Sequence, residues 1–175
     1  IARRLVERGH RSIVISNGGP LVQQLIAGGS EHVTKPIGRK RLSTLLLIPW
    51  LRGWLVKERV DILHARSRLP AWIAYLAYRG LSQETGAHFC TTVHGYYSVS
   101  RYSAIMTRGE TVFAVSEAAR DYALQNYPAL RADRIEVVHR GVDRARFPFG
   151  YKPSPDWLQA WYEQYPQLQD RQVLT

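Results

Sequence analysis

A chain of 175 residues can bury one substantial core, or one domain with a short extension, and its 45% apolar and 22% charged residues are the balance of a folded globular protein rather than a disordered tail. A net charge of +10 and an isoelectric point near 10.1 point to anionic partners, among which charge alone does not choose between nucleic acid, anionic lipid, phosphorylated sugar and nucleotide. The single Cys90 excludes an internal disulfide and a cysteine zinc site, and no apolar run reaches the roughly 18 residues needed to cross a membrane.

The first elements alternate. Residues 1–8 read as a helix with Ile1, Leu5 and Val6 facing inward, stopped by Gly9. Residues 11–16 are a buried strand ending in Asn17-Gly18-Gly19, and Pro20 opens a helix to Ala27 that Gly28 and Gly29 close. A weaker strand covers 31–37. Ser43 is expected to cap a helical region reaching Arg59, with Pro49 dividing it or sitting in a new first turn. Leu47, Leu51, Trp54 and Leu55 fall on one face of that helix.

The same rhythm continues. A strand spans 60–65, Pro70 starts a helix to Tyr78 that Gly80 stops, and a strand spans 88–94 before a Gly-Tyr-Tyr-Ser loop. A short helix at 103–108, a strand at 111–115, a helix capped by Ser116 and ended by Pro128, and a strand at 135–139 follow. Helices and strands alternating through short connections predict an α/β fold. The expected architecture is a doubly wound, mostly parallel Rossmann-like sheet with helices on both faces. Residues 144–171 differ, with clustered prolines and aromatics. They read as an interdomain linker carrying a helix near 155–164, where Trp157, Leu158, Trp161 and Tyr162 share a face. Residues 172–175 read as the start of a second domain, and the whole chain as a fragment of a longer protein.

Ligands of open α/β sheets bind beyond the carboxyl ends of the strands. Three strand ends carry polar groups suited to that place. His94 follows Cys90-Thr91-Thr92-Val93 and precedes Gly95, which would let a ligand approach the backbone; an imidazole there either orients a sugar hydroxyl or phosphate or is a satisfied structural histidine. Arg66, Ser67 and Arg68 follow the strand at 60–65, and two guanidinium groups there suit a phosphate or carboxylate, the alternative being a solvated loop. His64 reads as an inward core residue. Arg140 and Gly141 follow the last strand, with Asp143 placed to cap the turn. Tyr96 and Tyr97 flank the His94 loop, either to stack on a sugar ring or to pack the loop itself. The run Arg39-Lys40-Arg41, followed by leucines, Trp50 and Trp54, reads as a core helix after a basic turn or as a surface for anionic lipid. The histidines lack metal-binding spacing, and no Gly-x-Gly-x-x-Gly or Walker-type loop is present, so neither a metal nor a dinucleotide cofactor is expected.

Taken in order, Glu7-Arg8-Gly9-His10, Asp61-Ile62-Leu63-His64, Thr92-Val93-His94-Gly95, Val115-Ser116 and Arg140-Gly141-Val142-Asp143 resemble the N-terminal domain of family 4 glycosyltransferases of the GT-B fold. The stretch His64 to Trp72 is similar to bacterial lipopolysaccharide and cell-surface glycan enzymes. The resemblance covers residues 1–143. It implies an acceptor-side domain, with the nucleotide-sugar held by a second domain. It also implies a retaining hexosyltransferase that works without a metal or other cofactor, in the cytoplasm and peripheral on the inner face of the membrane. His94 matches the position near the transferred sugar, and Gly95, Ser116, Arg140 and Gly141 match cleft-lining positions, with Arg140 standing where many members have Asn. Arg66, Ser67, Arg68 and Tyr96 are the acceptor-binding candidates. The family's first strand and its second, donor-binding domain lack counterparts here, so the fragment alone is expected to be inactive. The expected partners are a nucleotide-sugar, a glycan or glycolipid acceptor and an anionic membrane surface. The rival reading is a non-enzymatic anion-binding module for nucleic acid or membrane.

Overall fold

The computed structural model describes residues 1–81, 86–145, 147–169 and 171. The strand expected at 172–175 lies outside them. The chain divides into two compact units, Ile1–His139 and Arg140–Thr175.

Among the described residues, the first unit contains every strand. β1 (Ile13–Ser16) and β2 (Glu31–Thr34) pair in parallel, with Ile13 opposite Glu31. β3 (Ile62–Ala65), β4 (His88–Val93), β5 (Thr111–Ala114) and β6 (Ile135–Val137) form a second parallel group in that order. The α/β, parallel architecture expected from the alternation is present, with the six strands in two hydrogen-bonded groups. Parallel strands flanked by helices are buried on both faces, and β4 shows it: every residue from Phe89 to Val93 is buried. Its two polar members are bonded. The Thr91 hydroxyl donates to the Met106 carbonyl at 2.7 Å, and Thr92 Oγ1 lies 2.7 Å from His64 Nε2.

Helices α1 (Ala2–Glu7), α2 (Val22–Ala27), α3 (Leu47–Lys57), α4 (Arg68–Tyr78) and α5 (Glu117–Asn126) connect the strands. α3 buries Leu51 and Leu55, one turn apart, while α4 buries Ala71, Ile73, Ala74 and Ala77; the small alanines let its backbone approach its neighbours closely. Phe89, Ile105, Met106 and Val112 complete a core in which each is at most 1% exposed. The Arg52 side chain reaches the C-terminal carbonyls of α4, donating to Ala77 at 3.1 Å and also to Arg79.

Three expectations are corrected. α1 buries nothing: Ile1 is 75% and Leu5 40% exposed, and the ion pairs of Arg3 and Arg4 with Glu7 lie within the helix itself. The region from Ser43 is not one capped helix. A 3₁₀ turn (Leu42–Leu46) leads into α3, and Ser43 caps nothing. Pro49 is the third residue of α3, where its missing N–H leaves no bond unmade. Likewise α4 begins at Arg68, two residues ahead of Pro70, with Ser67 extended at the N-cap position.

The second unit carries α6 (Pro155–Gln164), started by the Ser154 hydroxyl accepting from the Trp157 N–H at 3.3 Å. Trp157 and Trp161 stack with ring centres 5.3 Å apart, Trp161 lies 4.5 Å from Tyr165, and no residue of α6 is buried.

Candidate functional site

Because β3, β4, β5 and β6 are parallel, the residues that follow them leave from one edge of the sheet. Ala65 pairs with Thr91 and Val93 with Ala114, and the Val115 N–H donates to the Val93 carbonyl at 3.3 Å. Arg66 and Ser67 therefore follow β3, His94 and Gly95 follow the neighbouring β4, and Ser116 lies two residues beyond β5. Of the expected site residues, these and Arg68 and Tyr96 all belong to the first unit. Arg140 and Gly141 open the second unit and are exposed.

His94 is partly buried, and its backbone N–H donates to the Tyr97 hydroxyl at 3.2 Å. The loop beyond it is tied down from behind. The Tyr97 carbonyl accepts from the Tyr122 hydroxyl, and the Tyr96 ring packs 4.8 Å from Tyr122. Tyr96 is nevertheless 68% exposed, so one side of it stays open. A Cβ built at Gly95 would meet nothing within 4 Å, so its backbone faces open space.

The two arginines differ. Arg66 is exposed, with no hydrogen bond or ion pair to its side chain among the described residues. Arg68 is structural as well as basic: it donates to Ser103 Oγ at 3.2 Å and lies over Tyr97 and Tyr102, 5.6 and 5.4 Å from the ring centres. Ser103 is fully buried and bonded to Ser100, and Trp72 donates to the Tyr102 carbonyl at 3.0 Å. Tyr97, Tyr102 and Ser103 thus hold Arg68. The sequence contained only one sign of this, the density of aromatics at 96–102. Ser116 caps α5, its hydroxyl accepting from the Ala119 N–H at 3.2 Å, which fixes where the loop after β5 turns.

His64 is not the core residue expected. β3 ends the four-stranded group, and His64 is exposed on it, although its inner side touches Phe113 edge-on at 5.6 Å and bonds Thr92. Burial of that inner side, then the positive Arg66 and His94, hold its pKa below the usual histidine value. The shift favours its neutral imidazole form. Cys90 is buried, and loss of solvation followed by the nearby Glu110 pushes its thiol up, away from reactivity.

At the opposite edge, Glu110 bonds the Tyr78 hydroxyl and lies 2.7 Å from His88 Nδ1. Burial alone would raise its pKa, but these two partners outweigh burial and hold it below the usual carboxylate value. Among the described residues no three His, Cys, Asp or Glu side chains gather as a metal site, and no helix is long and apolar enough to cross a membrane.

Residues 1–146 match the family model described as Glycosyltransferase Family 4. Among solved structures, a glycosyltransferase from Rickettsia africae is 34% identical, superimposes with a TM-score of 0.73, and is matched over 94% of this chain and 44% of its own. Anabaena HepE, solved with UDP and glucose, is 16% identical at a TM-score of 0.65, with 94% of this chain and 46% of that one covered; it speaks to the fold. Alpha-maltose-1-phosphate synthase of Mycolicibacterium smegmatis is 38% identical over 64 residues, which is 35% of this chain and 16% of that protein. The chain spans less than half the length of each.

Proposed function

The chain belongs to glycosyltransferase family 4, and from that premise we propose that it is the acceptor-side half of a hexosyltransferase. In this reading a second, nucleotide-binding half presents a nucleotide-sugar opposite the carboxyl edge of the sheet. An acceptor hydroxyl oxygen forms the new bond at the anomeric carbon as the bond to the nucleotide phosphate breaks, with configuration retained and no metal required. UDP and glucose bound in the HepE structure are consistent with a nucleotide-sugar donor.

The observation that carries the proposal is the set of polar residues leaving neighbouring parallel strands at one edge. His94 orients the sugar or its hydroxyls. Arg66, which no protein group occupies among the described residues, pairs with an anionic group of the acceptor, and Tyr96 offers a ring face beside it. Arg68 and Ser67 stand beside it, while Gly95 and Ser116 line the approach at the same strand edge. A glycan or glycolipid of the bacterial envelope, anionic in its core, is the acceptor class that fits the charge, and it places the enzyme in the cytoplasm on the inner membrane face. Residues 1–143 form the acceptor domain and 144–171 the linker to the donor domain.

The test is release of free nucleotide by the enzyme containing this chain, across a panel of nucleotide-sugars with an envelope glycolipid extract. Release dependent on one donor and on the extract is expected. A folded enzyme that releases nucleotide from no donor would overturn the proposal.

A further inference from the structure

On the flank of the sheet, α4 and the chain that follows β4 lie side by side and are tied together at both ends. Trp72 Nε1 donates to the Tyr102 carbonyl at 3.0 Å, and the Tyr78 hydroxyl, at the last residue of α4, bonds Glu110. Between these ties a 3₁₀ turn (Ser103–Thr107) packs against α4, with Ile105 and Met106 buried beneath it. What is left between the two elements is an open groove of about 320 Å³. Trp72, Tyr75 and Arg79 wall it on one side, and Arg101 and Arg108, just before and just after the turn, wall it on the other. The spacing of the first three, i, i+3 and i+7, puts them on one face of α4 and its C-cap, and at 1.5 Å per residue the groove runs for about 10 Å.

The polar groups of this groove are unspent. Arg79, Arg101 and Arg108 are exposed, and among the described residues none of their side chains makes an ion pair or hydrogen bond; nor does the Tyr75 hydroxyl. Residues 62–81 and 87–109 contain five arginines and no Asp or Glu, so the groove has no acid of its own. Glu110, at its far end, is already bonded to Tyr78 and lies 2.7 Å from His88. Arg52 donates to the Arg79 carbonyl and brings a further positive charge to that end. Unneutralised guanidinium groups around a recess suit the oxygens of a phosphate, which they hold by charge-assisted bonds. The aromatic wall sets a second requirement. Trp72 has its one donor committed to Tyr102 and offers a ligand only its ring, while Tyr75 leans on Phe89 at 5.9 Å and keeps its hydroxyl for a ligand hydroxyl. The volume is on the scale of a small molecule, roughly the lower end of ligand pockets. A nucleic-acid strand would need a basic track leading past both ends, and at one end Glu110 stands in its place.

We propose that the groove between α4 and the 103–107 turn is a binding site for a small phosphorylated ring compound, a sugar phosphate or a nucleoside phosphate: Arg79 and Arg108 hold the phosphate, Trp72 lies along the ring, and Tyr75 and Arg101 bond its hydroxyls. The site is on the flank of the sheet and not at the carboxyl edge where Arg66 and His94 stand, and it shares no residue with the candidate acceptor site. The inference stands on the groove alone and not on the transferase reading, and its test contains neither nucleotide-sugar nor glycan.

The experiment is isothermal titration calorimetry of the chain with glucose 6-phosphate, UMP and inorganic phosphate, and with glucose and uridine as the uncharged counterparts, at about 0.1 M salt. Glucose 6-phosphate or UMP should bind on the order of tenfold or more tighter than inorganic phosphate and than either uncharged compound, and the tighter of the two identifies the ring the groove selects. The variant R79Q/R108Q should weaken that binding on the order of 100-fold, at about tenfold per arginine. R39Q/R41Q removes the same charge from exposed, unpaired arginines elsewhere and should leave the affinity unchanged. Ligand should alter the tryptophan emission of the wild type and not that of W72F, which places the ligand at Trp72. The arginine changes lie on the surface, and unchanged melting temperatures would confirm folding. The proposal is overturned if neither ring phosphate binds saturably, if inorganic phosphate binds as tightly, if R79Q/R108Q leaves the affinity intact, or if R39Q/R41Q lowers it equally, which would make the binding a general effect of charge.

Discussion

Arg66 and Arg68 stand two residues apart and look equivalent in the sequence, yet the structure assigns them different work, and replacing each by alanine separates the two roles. Arg68 donates to the fully buried Ser103 at 3.2 Å and lies 5.6 and 5.4 Å from two tyrosine ring centres. A hydrogen bond from a charged donor contributes about 1.5–3 kcal/mol, and 3.2 Å places this one at the weak end. Each cation–π contact at a partly exposed site adds about 0.5–1 kcal/mol. Arg68→Ala should therefore destabilise the fold by about 2–3.5 kcal/mol, lowering the melting temperature by about 5–10 °C in a chain of this size. Ser103 keeps its bond to Ser100, so no buried hydroxyl is orphaned. Arg66→Ala, on an exposed side chain with no bonded partner among the described residues, should change stability by less than about 0.5 kcal/mol. Urea unfolding followed by tryptophan fluorescence and far-UV circular dichroism measures both. Equal stability of the two variants would refute the division of labour drawn here.

Two further outcomes follow from the packing and the electrostatics. A Cβ on Gly109 would lie 2.6 Å from the Thr111 carbonyl oxygen and 2.9 Å from the Thr91 nitrogen, so β4 and β5 must give way; Gly109→Ala should cost about 3 kcal/mol in urea unfolding, and a neutral result would show the turn to be looser than described. His64 has a folded pKa below its unfolded value of about 6.5, so the unfolded chain takes up the proton first as pH falls. Its contribution is constant above that value and turns destabilising as pH drops through the window beneath it. His64→Gln should flatten the wild-type fall in melting temperature in that window, whereas an unchanged slope would show that another group causes it. Glu110, held low by Tyr78 and His88, loses its contribution only at more acid pH, below the usual carboxylate value, which keeps the two effects apart.

What the sequence made legible was periodicity with punctuation. The parallel strands announced themselves as apolar runs ending in His, Arg or Gly, and the helices after Ser116 and Ser154 as caps before amphipathic stretches; those hydroxyls bond where the pattern placed them. Edges and ends were harder to read. His64 looked inward because alternation along a strand says nothing of whether a neighbour strand covers it, and β3 is the last of its group. Ile1 and Leu5 looked like core because a helical stripe does not reveal that nothing covers it. The exposed Leu46 looked like part of a helix capped by Ser43, since the sequence does not show that Thr44 turns inward and pins the chain as a 3₁₀ turn. At the site, the residues just past the strands were readable from the strand pattern alone. The support beneath Arg68, drawn from Tyr97, Tyr102 and Ser103, depends on a loop closing over α4 and carries no local pattern.

The central claim is that this chain serves the acceptor. The measurement that bears on it most directly is the Michaelis constant for each substrate in the enzyme containing the chain, with and without Arg66→Ala. Loss of a charge-assisted bond to an acceptor anion should raise the acceptor constant by about tenfold or more and leave the nucleotide-sugar constant unchanged. A raised nucleotide-sugar constant with the acceptor constant unmoved would place Arg66 on the donor and contradict the account.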